Sequence, residues 1–214
     1  KYDVSIRELH DFRTKRRVYG GSDKIDREFY FEKYTFFRNH GAFVARKGEP
    51  SLTRLVKRIG GSDKKDQAQR IVDFVQKNIG YNPKEALSPN EILKLPSEVL
   101  MTKTSDCSGN SILLASLLEQ TDIEYLLLYT ERGGSEEHIT VAVEWNCSSP
   151  NGLGFFWKGR GYSIAESSDK RTRFIIGRSV PDYQLKEIGY VQRPSDLGNA
   201  FGFRTGQLLE FCKE

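Results

Sequence analysis

The segment Cys107–Leu118 constrains the fold of this chain more than any other. Its second half, Ile112–Leu118 (ILLASLL), is apolar on nearly every side, so a helix here has to be buried all round. Ser105-Asp106, directly before it, supplies side chains that favour a helix N-cap. The sequence therefore predicts a central, buried helix whose first turn carries Cys107.

Alternation of apolar and polar residues predicts strands after this helix. Four are expected: Ile123–Tyr129, His138–Trp145, Phe155–Lys158 and Tyr162–Ala165. In the second of these the odd-numbered positions are apolar, and His138 begins the polar face. A further helix is predicted near Asp182–Ile188. We predict an α+β fold with the buried helix packed on an antiparallel sheet.

Helices are also predicted before the central helix. Asp66–Ile79 has an apolar stripe with helical spacing, and Gly60-Gly61-Ser62-Asp63 is typical of the end of one helix and the N-cap of the next. The same punctuation occurs at Gly20–Lys24, and residues 1–47 are predicted to be helical with interruptions. Pro89–Leu95 is predicted to be a helical turn that Pro96 ends. We therefore predict a helical N-terminal extension, 1–65, and a catalytic domain, 66–214.

Composition excludes several classes of protein. The chain has 214 residues, and 37% of them are hydrophobic, which is enough for a sizeable core and too much for a disordered chain. No apolar run approaches the roughly 18–20 residues of a membrane-spanning helix. The spacing of zinc fingers and of the common RNA-binding motifs is absent, so no specific nucleic acid is expected as a partner.

Charge is unevenly distributed along the chain. The net charge is +4, but residues 1–70 alone carry 18 basic and 10 acidic side chains. This basic part could contact an anionic surface, or it could simply be the solvated face of amphipathic helices. Both interpretations stay open at this point.

The cysteines and the single methionine bear on processing. There are three cysteines, Cys107, Cys147 and Cys212, which is too few for a disulfide scaffold, and pairing the last two would leave Cys107 free. The only methionine is Met101, so we expect the chain to be a processed product or an excised piece. The compartment is not specified by these features.

Cys107 has the setting of a reactive thiol. An ordinary thiol has a pKa of about 8.5, and a helix N-terminus with a nearby imidazolium lowers it to about 3.5–7.5. His138, at the start of a strand beside the helix, could act as the base, and Glu166, after a later strand, could orient its ring. Each residue alone has an ordinary structural explanation, since a lone cysteine is usually a small buried hydrophobe. Their joint placement favours a nucleophile.

Three blocks of the sequence resemble the transglutaminase-like superfamily. Ser97–Leu100 followed by Ser105–Leu118 resembles its nucleophile helix, Glu137–Val143 its histidine strand, and Tyr162–Ser168 its block with an acidic residue. The resemblance covers about residues 66–180. It implies a papain-like core in which Cys107 is the nucleophile, His138 the base and then the acid, and Glu166 the residue that orients the imidazole.

The sequence departs from that family pattern at two positions. Ser105 stands where a glycine is common, and the third triad residue is glutamate rather than the more common aspartate. Asp169 is a fallback for orienting the imidazole. Asn82 or Tyr81 could supply the second donor of an oxyanion hole.

The resemblance implies cysteine-dependent acyl transfer through a thioester on a protein or peptide substrate. Hydrolysis, as in a protease or amidase, is favoured because water is the default acceptor and no amine-binding tunnel is marked. The alternatives are a crosslinking transglutaminase and a binding module that keeps the fold without turnover. No calcium-binding loop or metal-ligand spacing occurs, so no cofactor or metal is expected.

Overall fold

The computed structural model describes residues 40–87, 93–132, 136–146, 154–168, 173–177 and 185–192. In these ranges a one-turn 3-10 helix, His40–Phe43, precedes the α-helices, which are α1 Pro50–Ile59, α2 Lys64–Asn78, α3 Pro83–Ala86, α4 Pro96–Thr102 and α5 Cys107–Leu118. The strands are β1 Gly80–Tyr81, β2 Thr104–Ser105, β3 Tyr125–Arg132, β4 Glu136–Glu144, β5 Gly154–Trp157, β6 Arg160–Ala165 and β7 Leu185–Gln192.

Strands β3 to β7 form one antiparallel sheet in the order β5-β6-β4-β3-β7. The two remaining strands, β1 and β2, form a short parallel pair of their own, with Gly80 opposite Thr104 and Tyr81 opposite Ser105. This pair brings the end of α2 beside the residues that lead into α5. The predicted strands are thereby confirmed, with boundaries shifted by a few residues.

The main sheet has a hydrophobic cluster on each face. One contains Ile139, Val141 and Val143 of β4 with the apolar residues of α1, α2 and α5. The other contains Ala142 of β4 with residues of β3, β5 and β6. The odd and even positions of β4 therefore face different layers, as the alternation predicts. The fold is α+β, with a buried helix packed on an antiparallel sheet.

The junction between α1 and α2 follows the predicted punctuation. Gly60 follows α1 with φ = 66°, a conformation that glycine adopts at little cost, and the Asp63 side chain caps α2 by accepting from the Asp66 N–H at 2.9 Å. The first copy, Gly20–Lys24, lies outside the described residues, as do residues 1–39 of the segment 1–47 that was predicted to be helical. The rest of that segment contains the 3-10 helix His40–Phe43 and no α-helix. Helix α1 shares its core with α2, and the domain division at residue 65 stays a prediction.

Two predictions of local structure were wrong. Pro96 begins α4 instead of ending a helix, because proline at the first helical position lacks only an N–H that would have no partner there. Of the predicted helical turn Pro89–Leu95, residues 93–95 are not helical and residues 89–92 lie outside the described residues. The helix predicted near Asp182–Ile188 is replaced by β7, which pairs antiparallel with β3. Register shifts against β3 add extra residues to β7, so the apolar spacing resembles that of a helix.

The longest helix of the described residues is α2, with 15 residues. Among those residues no helix combines the length and the apolar character needed to cross a bilayer.

Candidate active site

Helix α5 places Cys107 at its first position. Asp106 is the N-cap, and its side chain accepts from the Gly109 N–H at 3.0 Å while its carbonyl accepts from the Asn110 N–H. Helix geometry leaves the Cys107 N–H without an intrahelical acceptor, facing the space ahead of the helix. Cys107 is half-buried, whereas every later residue of α5 is buried. Its thiol is thus held by a rigid helix and still reachable.

Strands β4 and β6 bring His138 and Glu166 together. Val141 pairs with Ala165, so Glu166, one residue further along, becomes a diagonal neighbour of His138 on the same face of the sheet. His138 Nε2 donates to Glu166 Oε2 at 2.7 Å. Both side chains are buried, Glu166 to the point of 1% exposure, so this contact is shielded from water.

The second carboxylate oxygen and the second ring nitrogen of this pair are also engaged. The Ser168 N–H donates to Glu166 Oε1 at 2.5 Å, which fixes the carboxylate. The imidazole also forms a side-chain hydrogen bond with Cys107. Since Nε2 is bound to Glu166, Nδ1 is the nitrogen left to face the thiol. The Ser111 hydroxyl donates to the Ile139 carbonyl at 3.0 Å and ties α5 to β4 next to His138.

These contacts shift the ionisation of the histidine. Burial acts to lower the pKa of His138, because it disfavours the charged ring. The negative charge of Glu166 and the hydrogen bonds to Cys107 and Glu166 outweigh it and raise the pKa of His138 from 6.5 to about 10. The arrangement therefore favours an imidazolium beside the sulfur at neutral pH, which is the form that can protonate a leaving group.

The two candidates for the second oxyanion donor lie beside the chain that leads into Cys107. Tyr81 is the β-partner of Ser105, and its side chain is 40% exposed. The Asn82 N–H donates to the Ser105 carbonyl at 2.9 Å, and its side-chain amide donates to Glu85 at 2.8 Å. Each amide nitrogen carries two hydrogens, so Asn82 has one donor left after the bond to Glu85.

The remaining sequence candidates differ in whether they can be placed. Asp169, the fallback for orienting the imidazole, lies outside the described residues, as do Cys147 and Cys212. Glu166 itself contacts the His138 imidazole. In the ranges described above, no group of three or more His, Cys, Asp or Glu side chains could hold a metal ion.

Two features of the site were missed by the sequence analysis. His40 Nε2 lies 3.0 Å from the hydroxyl of Ser108, the residue after Cys107, and both side chains are buried. No local pattern links residues 68 positions apart. The second feature is the contact of Ser105 with Gly109, where a Cβ would overlap the serine hydroxyl. Serine fits at position 105 because residue 109 is glycine. The separation of four residues between them is the sequence feature that could have indicated this contact.

Part of this chain is similar to a known protein family. Residues 50–148 match the model of a family described as transglutaminase-like domain. The matched region contains Cys107 and His138 and ends before Glu166. The resemblance inferred from the sequence is confirmed for these residues, and the match supports a cysteine-dependent enzyme in broad terms. No curated protein is significantly similar in sequence.

Two solved structures are distantly similar to this chain. One is a candidate cysteine protease from Cytophaga hutchinsonii, with 10% identity, a TM-score of 0.40, and coverage of 66% of this chain and 44% of that one. The other is a TGase, with 13% identity, a TM-score of 0.39, and coverage of 74% of this chain and 36% of that one. This chain spans less than half of the length of either structure.

Proposed function

We propose that this protein transfers acyl groups from amide bonds through a thioester on Cys107, with water as the usual acceptor. The observation that carries the proposal is the buried 2.7 Å contact between His138 Nε2 and Glu166 Oε2, in a histidine that also bonds to Cys107. This is the geometry in which a nucleophile, a base and an orienting acid act together. Glu166 serves in place of the more common aspartate.

In the first half of the reaction the Cys107 thiolate attacks the amide carbonyl carbon. The negative charge that develops on the carbonyl oxygen is met by the Cys107 N–H and by a second donor, for which Asn82 and Tyr81 are the candidates. The His138 imidazolium then gives its proton to the amide nitrogen as the C–N bond breaks. The amine leaves, and a thioester remains on Cys107.

In the second half of the reaction the neutral His138 acts as a base. It accepts a proton from water as the water oxygen attacks the thioester carbonyl carbon. Collapse of the resulting intermediate expels the Cys107 thiolate and releases a carboxylic acid. Glu166 stays ionised throughout and holds the ring so that Nδ1 faces the sulfur. A primary amine in place of water would give the crosslinking outcome.

An activated ester tests the chemistry without knowledge of the natural substrate. We expect p-nitrophenyl acetate to release one equivalent of p-nitrophenolate in a burst and to leave an acetyl group on Cys107, located by peptide mass spectrometry. The Cys107→Ala and His138→Ala variants should show no burst. A wild-type protein that is acetylated elsewhere, or not at all, would contradict the proposal and favour a binding module.

The acceptor can be identified in the same assay. Adding a fluorescent primary amine, such as dansylcadaverine, offers the acetyl-enzyme a choice between water and amine. We expect acetate to remain the main product and the amine to stay largely unmodified. Predominant acetylation of the amine would replace hydrolysis with transamidation as the proposed reaction.

A further inference from the structure

The chain before α1 runs along helix α5 from one end to the other. We call residues 40–48 the strap. At its start His40 contacts Ser108, at its middle the Ala45 N–H donates to Ser116 Oγ at 2.9 Å, and at its end the Gly48 N–H donates to Gln120 Oε1 at 2.9 Å. Gln120 also donates to the Arg46 carbonyl.

The residues of α5, and of the turn that follows it, that hold the strap are spaced regularly. Ser108, Ser116 and Gln120 are separated by multiples of four, which places them along the same side of α5 and of the turn that follows it. Ile112 fills the remaining position of that series and packs in a buried cluster with Phe43 of the strap. The strap is therefore fixed along its length by polar contacts at both ends and at its middle, and by the apolar contact of Phe43 with Ile112.

The two ends of the strap differ in what they adjoin. His40 is 2% exposed, and its ring lies against the residue directly after the nucleophile. The far end holds Gln120, beyond the last residue of α5. His40 precedes the matched family region, which begins at residue 50, and it belongs to neither the triad nor the oxyanion candidates.

We propose that His40 is a positioning residue for Cys107, an inference that rests on the proposed function. Its contact with Ser108 fixes the first turn of α5, so that the sulfur stays in line with His138 and the Cys107 N–H keeps its direction. Small displacements of a reacting group cost large factors in rate, so a loss of this contact should lower the reactivity of the thiol.

The test compares the rate of Cys107 alkylation by iodoacetamide at pH 6 with the rate at pH 9. The ratio reports how well the imidazole supports the thiolate, and a change in overall stability of a folded protein leaves it unmoved. We expect His40→Ala to lower the ratio roughly ten- to hundredfold. His40→Gln, which can place an amide near the position of Nε2, should restore it to within about threefold of wild type.

Two further variants provide a second test of the contact and a control. Ser108→Ala removes the other partner of the same contact and should lower the ratio as His40→Ala does. It therefore still tests the proposal if the His40→Ala protein does not fold. Gln120→Ala breaks the far end of the strap and should leave the ratio unchanged. A wild-type ratio in His40→Ala or in Ser108→Ala overturns the proposal, and so does an equal loss in Gln120→Ala. A wild-type thiol that behaves like a small free thiol contradicts the proposed function instead.

Discussion

The two halves of helix α5 are buried in the same core, but their side chains differ in chemistry. The first half, Cys107–Ser111, carries the thiol and several polar groups, and both polar atoms of the Asn110 side chain lack a hydrogen-bond partner among the described residues. The second half, Ile112–Leu118, is apolar except for Ser116, which bonds to the Ile112 carbonyl. The comparison indicates that the second half anchors the helix, whereas the first half, which carries the proposed nucleophile, buries polar groups at a cost in stability.

The largest expected effect is on activity and comes from the first half. Cys107→Ala should reduce acylation by p-nitrophenyl acetate by at least about a thousandfold, because no other group replaces the nucleophile. The free energy of unfolding, measured in urea, should change by less than about 1 kcal/mol, since the thiol is only half-buried. A variant with near wild-type acylation would place the nucleophile elsewhere.

The matching change in the second half should act on stability alone. Leu114 is fully buried in the main cluster, so Leu114→Ala should lower the free energy of unfolding by about 2–5 kcal/mol. The alkylation rate of Cys107 at pH 6 should stay at the wild-type value while the protein is folded. A parallel fall in thiol reactivity would show that the two halves are not separable.

Glu166→Gln tests the electrostatics beside the first half. The pKa of His138 is raised to about 10 in the folded protein. The protonated ring therefore contributes fully to the free energy of unfolding below about pH 6.5, and this contribution is lost as the pH rises through about 10. Urea unfolding at pH 6 and pH 10 should show a loss of about 4 kcal/mol in the unfolding free energy of the wild type, and a much smaller loss in the variant. Equal losses in both proteins would contradict the role given to the carboxylate.

Gly109, in the first half of α5, should be required because the Ser105 side chain lies against it. Gly109→Ala forces a methyl group into the Ser105 hydroxyl and should cost about 1–3 kcal/mol of unfolding free energy. Adding Ser105→Gly to that variant removes the overlap and should recover most of the loss. Failure of the double variant to recover would mean that the contact with Val99 or the helix backbone decides the cost.

The smallest effect is expected at Asn110. Asn110→Leu replaces a buried amide without partners by an apolar side chain of similar size, and should raise the unfolding free energy by about 1 kcal/mol. Thermal denaturation of the variant beside wild type would measure it. A clear loss of stability would show that the amide has a partner in solution, such as a bound water.

The parts of this molecule that sequence predicts well are those governed by short-range periodicity. The apolar run of α5, the stripe of α2 and the alternation of β4 each determine burial within one element, and the structure follows all three. The resemblance adds the order of Cys107, His138 and Glu166. Their mutual contact depends on the register of β4 against β6, which no single element specifies.

The parts that sequence did not predict depend on long-range contacts or on irregular pairing. The parallel pair of β1 and β2 has only two residues in each strand, too few for a periodic signal. The strand at Leu185–Gln192 carries extra residues that break the alternation. The strap is defined by backbone N–H groups bonding to side chains of a distant helix, so its own sequence has no recognisable pattern.

The most direct test of the account is the rate at which iodoacetamide modifies Cys107 at pH 6, measured beside N-acetylcysteine and the His138→Ala variant. A sulfur paired with the His138 imidazolium should react at least about tenfold faster than the small thiol, and should lose that advantage in the variant. If Cys107 reacts no faster than N-acetylcysteine, or keeps its rate without His138, then the three side chains do not act together.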